Sequence, residues 1–338
     1  LMILVTGGTG LVGAHLLLAL VNNGEKVRAI HRASSDLDAV KNVFSYDTYE
    51  TQTLFNKIEW IIADITDVTT LEAAFKNIEY VYHCAAFISF NPRHYPVLKK
   101  VNIEGTANVV NFCLTEGVKK LCYISSIATL GKTTDESLST EETEFNPEEK
   151  NSVYAITKHE AEMQVWRGTQ EGLDAIIVHP GVIIGEGIWN SASGGIFRTI
   201  SKGLRYFTPG GVSIVDVKDV VKVMINLTSS PIKNEAYILV AKNIYYKELL
   251  TKISDGLNKK PPNKTIAKWI MISFANLDWF FYKIFKIKRK LLKATVRSLY
   301  RNSFYDASKI EKEIDFKFTP TNKTIERVTK NYRRDFNL

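Results

Sequence analysis

Tyr154 and Lys158 stand four residues apart in the run Tyr154-Ala155-Ile156-Thr157-Lys158, and a pair of serines, Ser125 and Ser126, closes an apolar run that ends at Ile124. A phenol has an ordinary pKa near 10. A neighbouring ammonium favours its ionised form, so a tyrosine beside a lysine can donate and accept a proton closer to neutrality. Positions four apart share a helix face, so a helix over Ser152 to Gly168 would turn both side chains into one cleft. A serine hydroxyl at an adjacent strand end would then hold a carbonyl oxygen where charge develops. The chemistry these types could do together is proton transfer on a carbonyl/alcohol pair, although a lone Y-x-x-x-K is as common as any helix face.

A source of hydride is read from the other end of the chain. Ile3 to Val5 is a short apolar strand, glycines follow at Gly7, Gly8, Gly10 and Gly13, and Leu11 to Val21 carries a long apolar helical pattern. Gly8, Gly10 and Gly13 fit G-x-G-x-x-G, and Gly7, Gly10 and Gly13 fit the sister spacing G-x-x-G-x-x-G. Either way the missing side chains let backbone amides and a helix N-terminus, with Leu11 and Val12 in its first turn, close on a pyrophosphate. Strand, glycine turn and helix in direct succession predict dinucleotide binding.

The elements that would position these groups alternate. Lys26 to Ile30, Glu59 to Ile62, Tyr80 to His83, Leu121 to Ile124 and Ala175 to Val178 read as further strands, with helices between them, notably Lys99 to Thr115 and Ser152 to Gly168. That pattern predicts an α/β fold, a Rossmann-type doubly wound parallel sheet whose ligands lie at the carboxyl ends of the strands. The second strand runs out into His31-Arg32-Ala33-Ser34-Ser35 with no carboxylate at its tip, which favours the 2′-phosphate of NADP, held by Arg32 and the serines, over the bare ribose of NAD. Asp64 and the amide of Ile65 end the third strand and can hold an adenine; Asp64 alone could equally cap a helix. Ala85 and Ala86 end the fourth, small enough for the chain to pass close to a ribose.

The 338 residues are 45 % hydrophobic and 24 % charged, as in a soluble globular protein. The sequence opens on its first strand, so no signal peptide is expected. Cys84, Cys113 and Cys122 lie in apolar contexts without a C-x-x-C spacing, which reads as reduced thiols in a cytoplasm, with no disulfide and no metal. Charge is uneven: residues 258–338 hold 20 Lys and Arg against 7 Asp and Glu, a net of +13, and the rest 24 against 29, a net of −5. A solvated surface is the plain reading of this tail; an anionic substrate or a membrane surface are the sharper ones. No nucleic-acid signature accompanies the charge. Residues 266–293 are aromatic and apolar, yet only nine uncharged residues separate Lys268 from Asp278, too few to span a bilayer. They are expected to line the core of a C-terminal lobe, with an interfacial helix as the alternative.

With these pieces assembled, the chain resembles the extended short-chain dehydrogenase/reductase superfamily, of the NAD-dependent epimerase/dehydratase and dihydroflavonol reductase-like kind. The markers are TGGTGLVG (6–13), ADIT (63–66), HCAA (83–86), VNIEGT (101–106), ISS (124–126), YAITK (154–158) and HPGVIIG (179–185), in family order over about 185 residues. The resemblance implies Tyr154 as catalytic acid/base, Lys158 as its electrostatic partner and ribose ligand, and Ser126 as the carbonyl-orienting hydroxyl, with Ser125 the weaker register. It implies a catalytic place for Asn102, whose bland alternative is a bond to a neighbouring loop, and a nicotinamide-lining loop at Pro180 and Gly181. It divides the chain into a dinucleotide-binding domain, residues 1–185 with 210–241 returning to it, and a smaller, mainly helical substrate lobe, residues 186–209 and 242–338. Asp216 and Asp219 would hold the returning segment in place. The family commonly pairs through the helices over Lys99 to Thr115 and Ser152 to Gly168, so a homodimer is expected.

The implied activity is NADP-preferring or NAD-dependent oxidation and reduction of a carbonyl/alcohol pair. A nucleoside-diphosphate-sugar epimerase with retained NAD is the nearest alternative, and a non-catalytic dinucleotide sensor a distant one. Dehydration would need T-D-E directly after the fifth strand, where the chain has Ser126-Ile127-Ala128; Asp135 and Glu136 come too late. Epimerases commonly place an asparagine where His179 stands. Ile188, Trp189, Ile196, Phe197, Tyr206 and Phe207 predict a substrate segment suited to an apolar or mixed substrate.

Overall fold

A computed structural model describes residues 1–131, 137–190, 192–285 and 291–338. Asp135 and Glu136 lie outside the described residues.

The main sheet is built from β1 (Met2–Thr6), β2 (Lys26–His31), β3 (Ile58–Ile62), β4 (Tyr80–His83), β5 (Lys120–Ile124), β6 (Ala175–Pro180) and a strand late in the chain, Glu235–Leu239. Between β6 and that last strand come β7 (Val182–Ile184), β8 (Tyr206–Phe207) and β9 (Gly211–Asp216), so Glu235–Leu239 is β10. The strand order is β10-β6-β5-β4-β1-β2-β3, parallel at every pairing. The order reverses between β1 and β4, which opens a crevice at their carboxyl ends.

Apolar residues on both faces are what a parallel sheet with helices on either side requires. Ile3 and Val5 belong to one core with the helices Leu11–Asn22 and Val217–Ser229. Leu4, between them, belongs to the other core, with Val81, Leu121 and the helices Gly105–Thr115 and Val153–Gln170. Successive side chains thus serve opposite faces. The helix expected over Lys99 to Thr115 is interrupted: a turn of π-helix, Lys99–Glu104, precedes Gly105–Thr115. Such turns commonly mark functional positions, and this one carries Asn102.

A second sheet of three strands, β11-β9-β7 with β11 (Lys242–Tyr245) antiparallel to β9, leads into a third core under the C-terminal helix Thr321–Phe336. Trp189 and Phe197 are in that core, 7 % and 0 % exposed, with Tyr332 between them. This corrects the expectation that they face a substrate: both are the lobe's own packing, and the Trp189 indole donates to Asp335 at 2.8 Å. Residues 304–310, assigned from the sequence to the lobe, also depart from it. Tyr305, Ala307 and Ile310 pack into the first core, beside β10. Asp216 and Asp219 tie the returning segment down. Asp216 caps the helix Val217–Ser229 and accepts from Arg327 and Thr324, while Asp219 accepts from Thr319.

The expectation that residues 266–293 line a core is overturned for residues 268–279, the part of the helix Lys268–Phe285 whose side chains are described. Trp269, Phe274, Leu277 and Trp279 are exposed, and Ala275 is its buried residue among those described. No helix among the described residues is long and apolar enough to cross a membrane.

Candidate active site

The glycine turn forms a cradle that no larger residue would fit. Gly7 adopts φ +69°, and a Cβ there would stand 2.5 Å from the Ala85 amide nitrogen. A Cβ on Gly13 would stand 2.1 Å from the Gly7 carbonyl oxygen, which already accepts from the Gly10 amide at 2.9 Å. The helix Leu11–Asn22 begins at Gly10 with no side-chain cap and no acidic residue in its first turn. Its leading amides, those of Leu11 and Val12 included, are therefore the free donors that helix N-termini offer to anions. A dinucleotide pyrophosphate fits this donor set. Ala85 lies directly against Gly7, its amide donating to the Thr6 hydroxyl at 3.2 Å, and Ala86 beyond it is exposed.

Arg32 is exposed at the tip of β2, where Ser35 accepts from its backbone amide at 3.1 Å. The nearby carboxylate of Asp36 is taken up in capping the helix Leu37–Phe44. The Asp64 carboxylate accepts from the Thr66 amide and hydroxyl at 2.9 and 2.8 Å, while Asp67 caps the following helix, so Asp64 is not a helix cap. Ile65 is buried against Gly105, where a Cβ would meet it at 2.6 Å.

The carboxyl end of β5 gathers the reactive side chains. Ser126 caps a short 3-10 turn through the Ala128 amide at 3.1 Å, with its hydroxyl beside that of Tyr154. The Tyr154 ring is edge-on to Phe90, centroids 5.6 Å apart. Lys158, fully buried, extends from the same helix face but turns to the strand: Nζ donates to the Tyr123 hydroxyl at 2.6 Å and to the Ile124 carbonyl at 2.7 Å. The expected lowering of the Tyr154 pKa is therefore corrected. Burial pushes the phenol up to about 12, opposed by the neighbouring Ser126 hydroxyl, and burial pushes Lys158 down to about 7. Desolvation outweighs the proximity of the two groups because the ammonium is held by other partners.

Ser125 points the other way, into a buried network. Its hydroxyl donates to Glu162 at 2.5 Å, Thr129 donates to the same carboxylate oxygen at 2.9 Å, and His179 Nε2 lies 2.9 Å from it; the Trp166 indole donates to the other oxygen at 3.3 Å. Burial raises the Glu162 pKa, but the His179 charge and the three hydrogen bonds outweigh that and hold the carboxyl well below the usual carboxylate range. His179 is thus occupied behind the site.

Asn102 is also occupied. Its side chain accepts from the Phe87 amide at 2.8 Å and donates to the Phe87 carbonyl at 3.0 Å and to Thr157 at 3.3 Å, at 1 % exposure. Both amide hydrogens are used, and the side chain clamps the loop after β4 to the helix bearing Tyr154, the loop bond that was the alternative to a catalytic place. Pro180 ends β6 in register with Leu239, and a Cβ on Gly181 would meet the Ser213 carbonyl at 2.6 Å, so close packing on β9 already demands that glycine.

Three contributors went unread in the sequence. Phe90 and Glu162 face the site and its support, and Tyr123 holds Lys158. Only Glu162 left a trace, as the third member of an i, i+4, i+8 series with Tyr154 and Lys158.

A family model described as the NAD dependent epimerase/dehydratase family matches residues 3–238. Sterol demethylase protein B of Methylococcus capsulatus is 30 % identical over 278 residues, 81 % of this chain and 80 % of that protein. The Arabidopsis thaliana 3beta-hydroxysteroid-dehydrogenase/decarboxylase isoform 1 is 24 % identical over 335 residues, 92 % of this chain and 75 % of the relative. The crystal structure of UDP-glucose 4-epimerase from Thermotoga maritima superposes with a TM-score of 0.76 at 20 % identity, covering 99 % of this chain and 100 % of that one, which shows the shared fold.

Proposed function

The chain belongs to the NAD dependent epimerase/dehydratase family, as an NAD(P)-dependent enzyme of the extended short-chain dehydrogenase/reductase type, and within it we propose an NADP-preferring oxidoreductase acting on a carbonyl/alcohol pair of a largely apolar or mixed substrate. The observation that carries this reading is that Ser126 and Tyr154 stand beside one another at the carboxyl end of β5, close enough for the serine hydroxyl to favour the ionised phenol. When bound, the nicotinamide supplies or accepts the hydride.

The glycine cradle and the first turn of Leu11–Asn22 hold the pyrophosphate, Arg32 the 2′-phosphate, and Lys158 the ribose. Ser126 donates to the substrate carbonyl oxygen and orients it. Tyr154, with a pKa near 12, is protonated at neutral pH and gives its proton to that oxygen as negative charge develops there. The Phe90 ring packs edge-on against the ring that bears the phenol. Both named relatives carry sterol chemistry in their names, which supports an apolar substrate here. The same reading places the protein in the cytoplasm, with Cys84, Cys113 and Cys122 free, and pairs two copies through the helices Gly105–Thr115 and Val153–Gln170, which light scattering tests.

Denaturing the purified protein and assaying released nucleotide tests the proposal. Exchangeable cofactor, with net consumption of added NADPH in the presence of a carbonyl compound, is expected. Stoichiometric, tightly held NAD with interconversion of sugar-nucleotide epimers and no net NADPH consumption would replace it with the epimerase reading.

A further inference from the structure

The helix Lys268–Phe285 carries an aromatic surface that the fold leaves in water. Trp269 is 71 % exposed, Phe274 54 %, Leu277 50 % and Trp279 47 %, whereas Ala275 is wholly buried. At 100° per residue, Trp269, Ser273, Asn276 and Leu277 fall in one arc opposite Ala275, with Phe274 and Trp279 at its flanks. Trp269 and Leu277 on this arc, with Phe274 and Trp279 flanking it and a serine and an asparagine between, form a patch of the kind that marks an interaction surface.

The charge around the patch selects its occupant. From Lys259 to Arg301 the sequence holds twelve Lys and Arg against one acidic residue, Asp278. A second copy of this face would bring two such fields together, and like charges repel. A nucleic acid would answer the charge and leave the aliphatic part of the arc unused. An anionic bilayer answers both: aromatic and aliphatic side chains enter the boundary between headgroups and acyl chains, and the Lys and Arg residues meet the anionic headgroups. The helix cannot cross, since nine uncharged residues between Lys268 and Asp278 are too few.

We propose that the helix Lys268–Phe285 is a peripheral membrane-docking element that lies flat on anionic lipid with Trp269, Phe274 and Leu277 inserted. The proposal rests on exposure and charge, and stands apart from which reaction Tyr154 performs.

Co-sedimentation with vesicles of phosphatidylcholine containing phosphatidylglycerol, and with vesicles of phosphatidylcholine alone, tests it on the full chain. The protein should bind the anionic vesicles, about tenfold less tightly without phosphatidylglycerol, with a blue-shifted tryptophan emission and weakening in salt. Trp269→Ser combined with Phe274→Ser should weaken binding about tenfold, and so should Lys293→Glu combined with Arg297→Glu. The replaced residues are exposed, so thermal unfolding midpoints should not move. No binding by the unmodified protein, or binding indifferent to Trp269→Ser/Phe274→Ser, overturns the proposal. So does a fall in oligomer mass in that double variant with lipid binding unchanged, which assigns the face to self-association. Tight binding of duplex DNA that competes with the vesicles and survives the double substitution assigns the charge to nucleic acid and likewise overturns it.

Discussion

Replacing Glu162 with glutamine removes the charge on which Ser125, Thr129 and His179 converge. Glu162 is 6 % exposed, and one of its oxygens receives three of these contacts at 2.5 to 2.9 Å. A glutamine amide has a single carbonyl oxygen, and its nitrogen would present hydrogens to donors on the other side. It also takes from His179, 1 % exposed, the carboxylate that its Nε2 contacts, while His179 Nδ1 already finds no partner among the described residues. Hydrogen bonds to a charged group are typically worth about 1.5–3 kcal/mol each, so Glu162→Gln, which disturbs several at once, should lower stability at pH 7 by about 3 kcal/mol in urea unfolding.

The pH dependence has a definite sign. The carboxyl is held at about 2 in the folded protein against an ordinary 4.5. Its contribution is therefore complete above about pH 4.5 and is lost as pH falls toward 2. The gap between wild type and Glu162→Gln should stay constant from pH 7 to about 5 and narrow below that. Because Ser125 immediately precedes Ser126, turnover should also fall by about tenfold or more through misplacement of the Ser126–Tyr154 pair, with cofactor affinity unchanged. Equal stability of the two proteins at pH 7, or a gap indifferent to pH between 5 and 3, would refute the account of this network.

Changing Arg32 to Asp should lower NADPH affinity by about tenfold to a hundredfold and leave NADH binding equal or improved, read by calorimetric titration. Gly13→Ala should reduce NADPH affinity by at least about tenfold, because a Cβ 2.1 Å from the Gly7 carbonyl forces the cradle's backbone to move. The Lys158 pKa, lowered by burial to about 7, makes cofactor affinity fall as pH rises through 7 and the ammonium is lost. It also makes stability rise between about pH 7 and 10.5, where the unfolded chain binds the proton that the native site does not; Lys158→Met should abolish both effects.

The parallel sheet was legible because its strands are unbroken apolar runs punctuated by glycine, and a strand buried on both faces can hardly be written otherwise. The Ser126, Tyr154 and Lys158 positions were legible because helical spacing and strand ends are local properties. The partners that decide their protonation were not. Lys158 meets Tyr123, 35 positions away, and the sequence offered only its nearer neighbour Tyr154 as the group it would act on. Trp189 and Phe197 were misplaced for a similar reason. An aromatic residue reads alike whether it lines a cleft or packs on Tyr332, more than a hundred residues distant. Asn102 was found as a residue, but its engagement with Phe87 was not legible, since the two lie 15 positions apart and the asparagine sits in a π-turn. Residues 268–279 defeated the expectation of burial because apolar composition alone does not say which neighbour, if any, covers a face.

The most direct test of the central claim is NADPH oxidation, dependent on an added carbonyl compound, by wild type and by Tyr154→Phe. The phenylalanine ring keeps its place against Phe90 and removes only the hydroxyl that meets Ser126. The account predicts NADPH affinity within about threefold of wild type and a fall in turnover of roughly a hundredfold to ten-thousandfold, the usual worth of a positioned acid. Turnover by Tyr154→Phe at near the wild-type rate would contradict it.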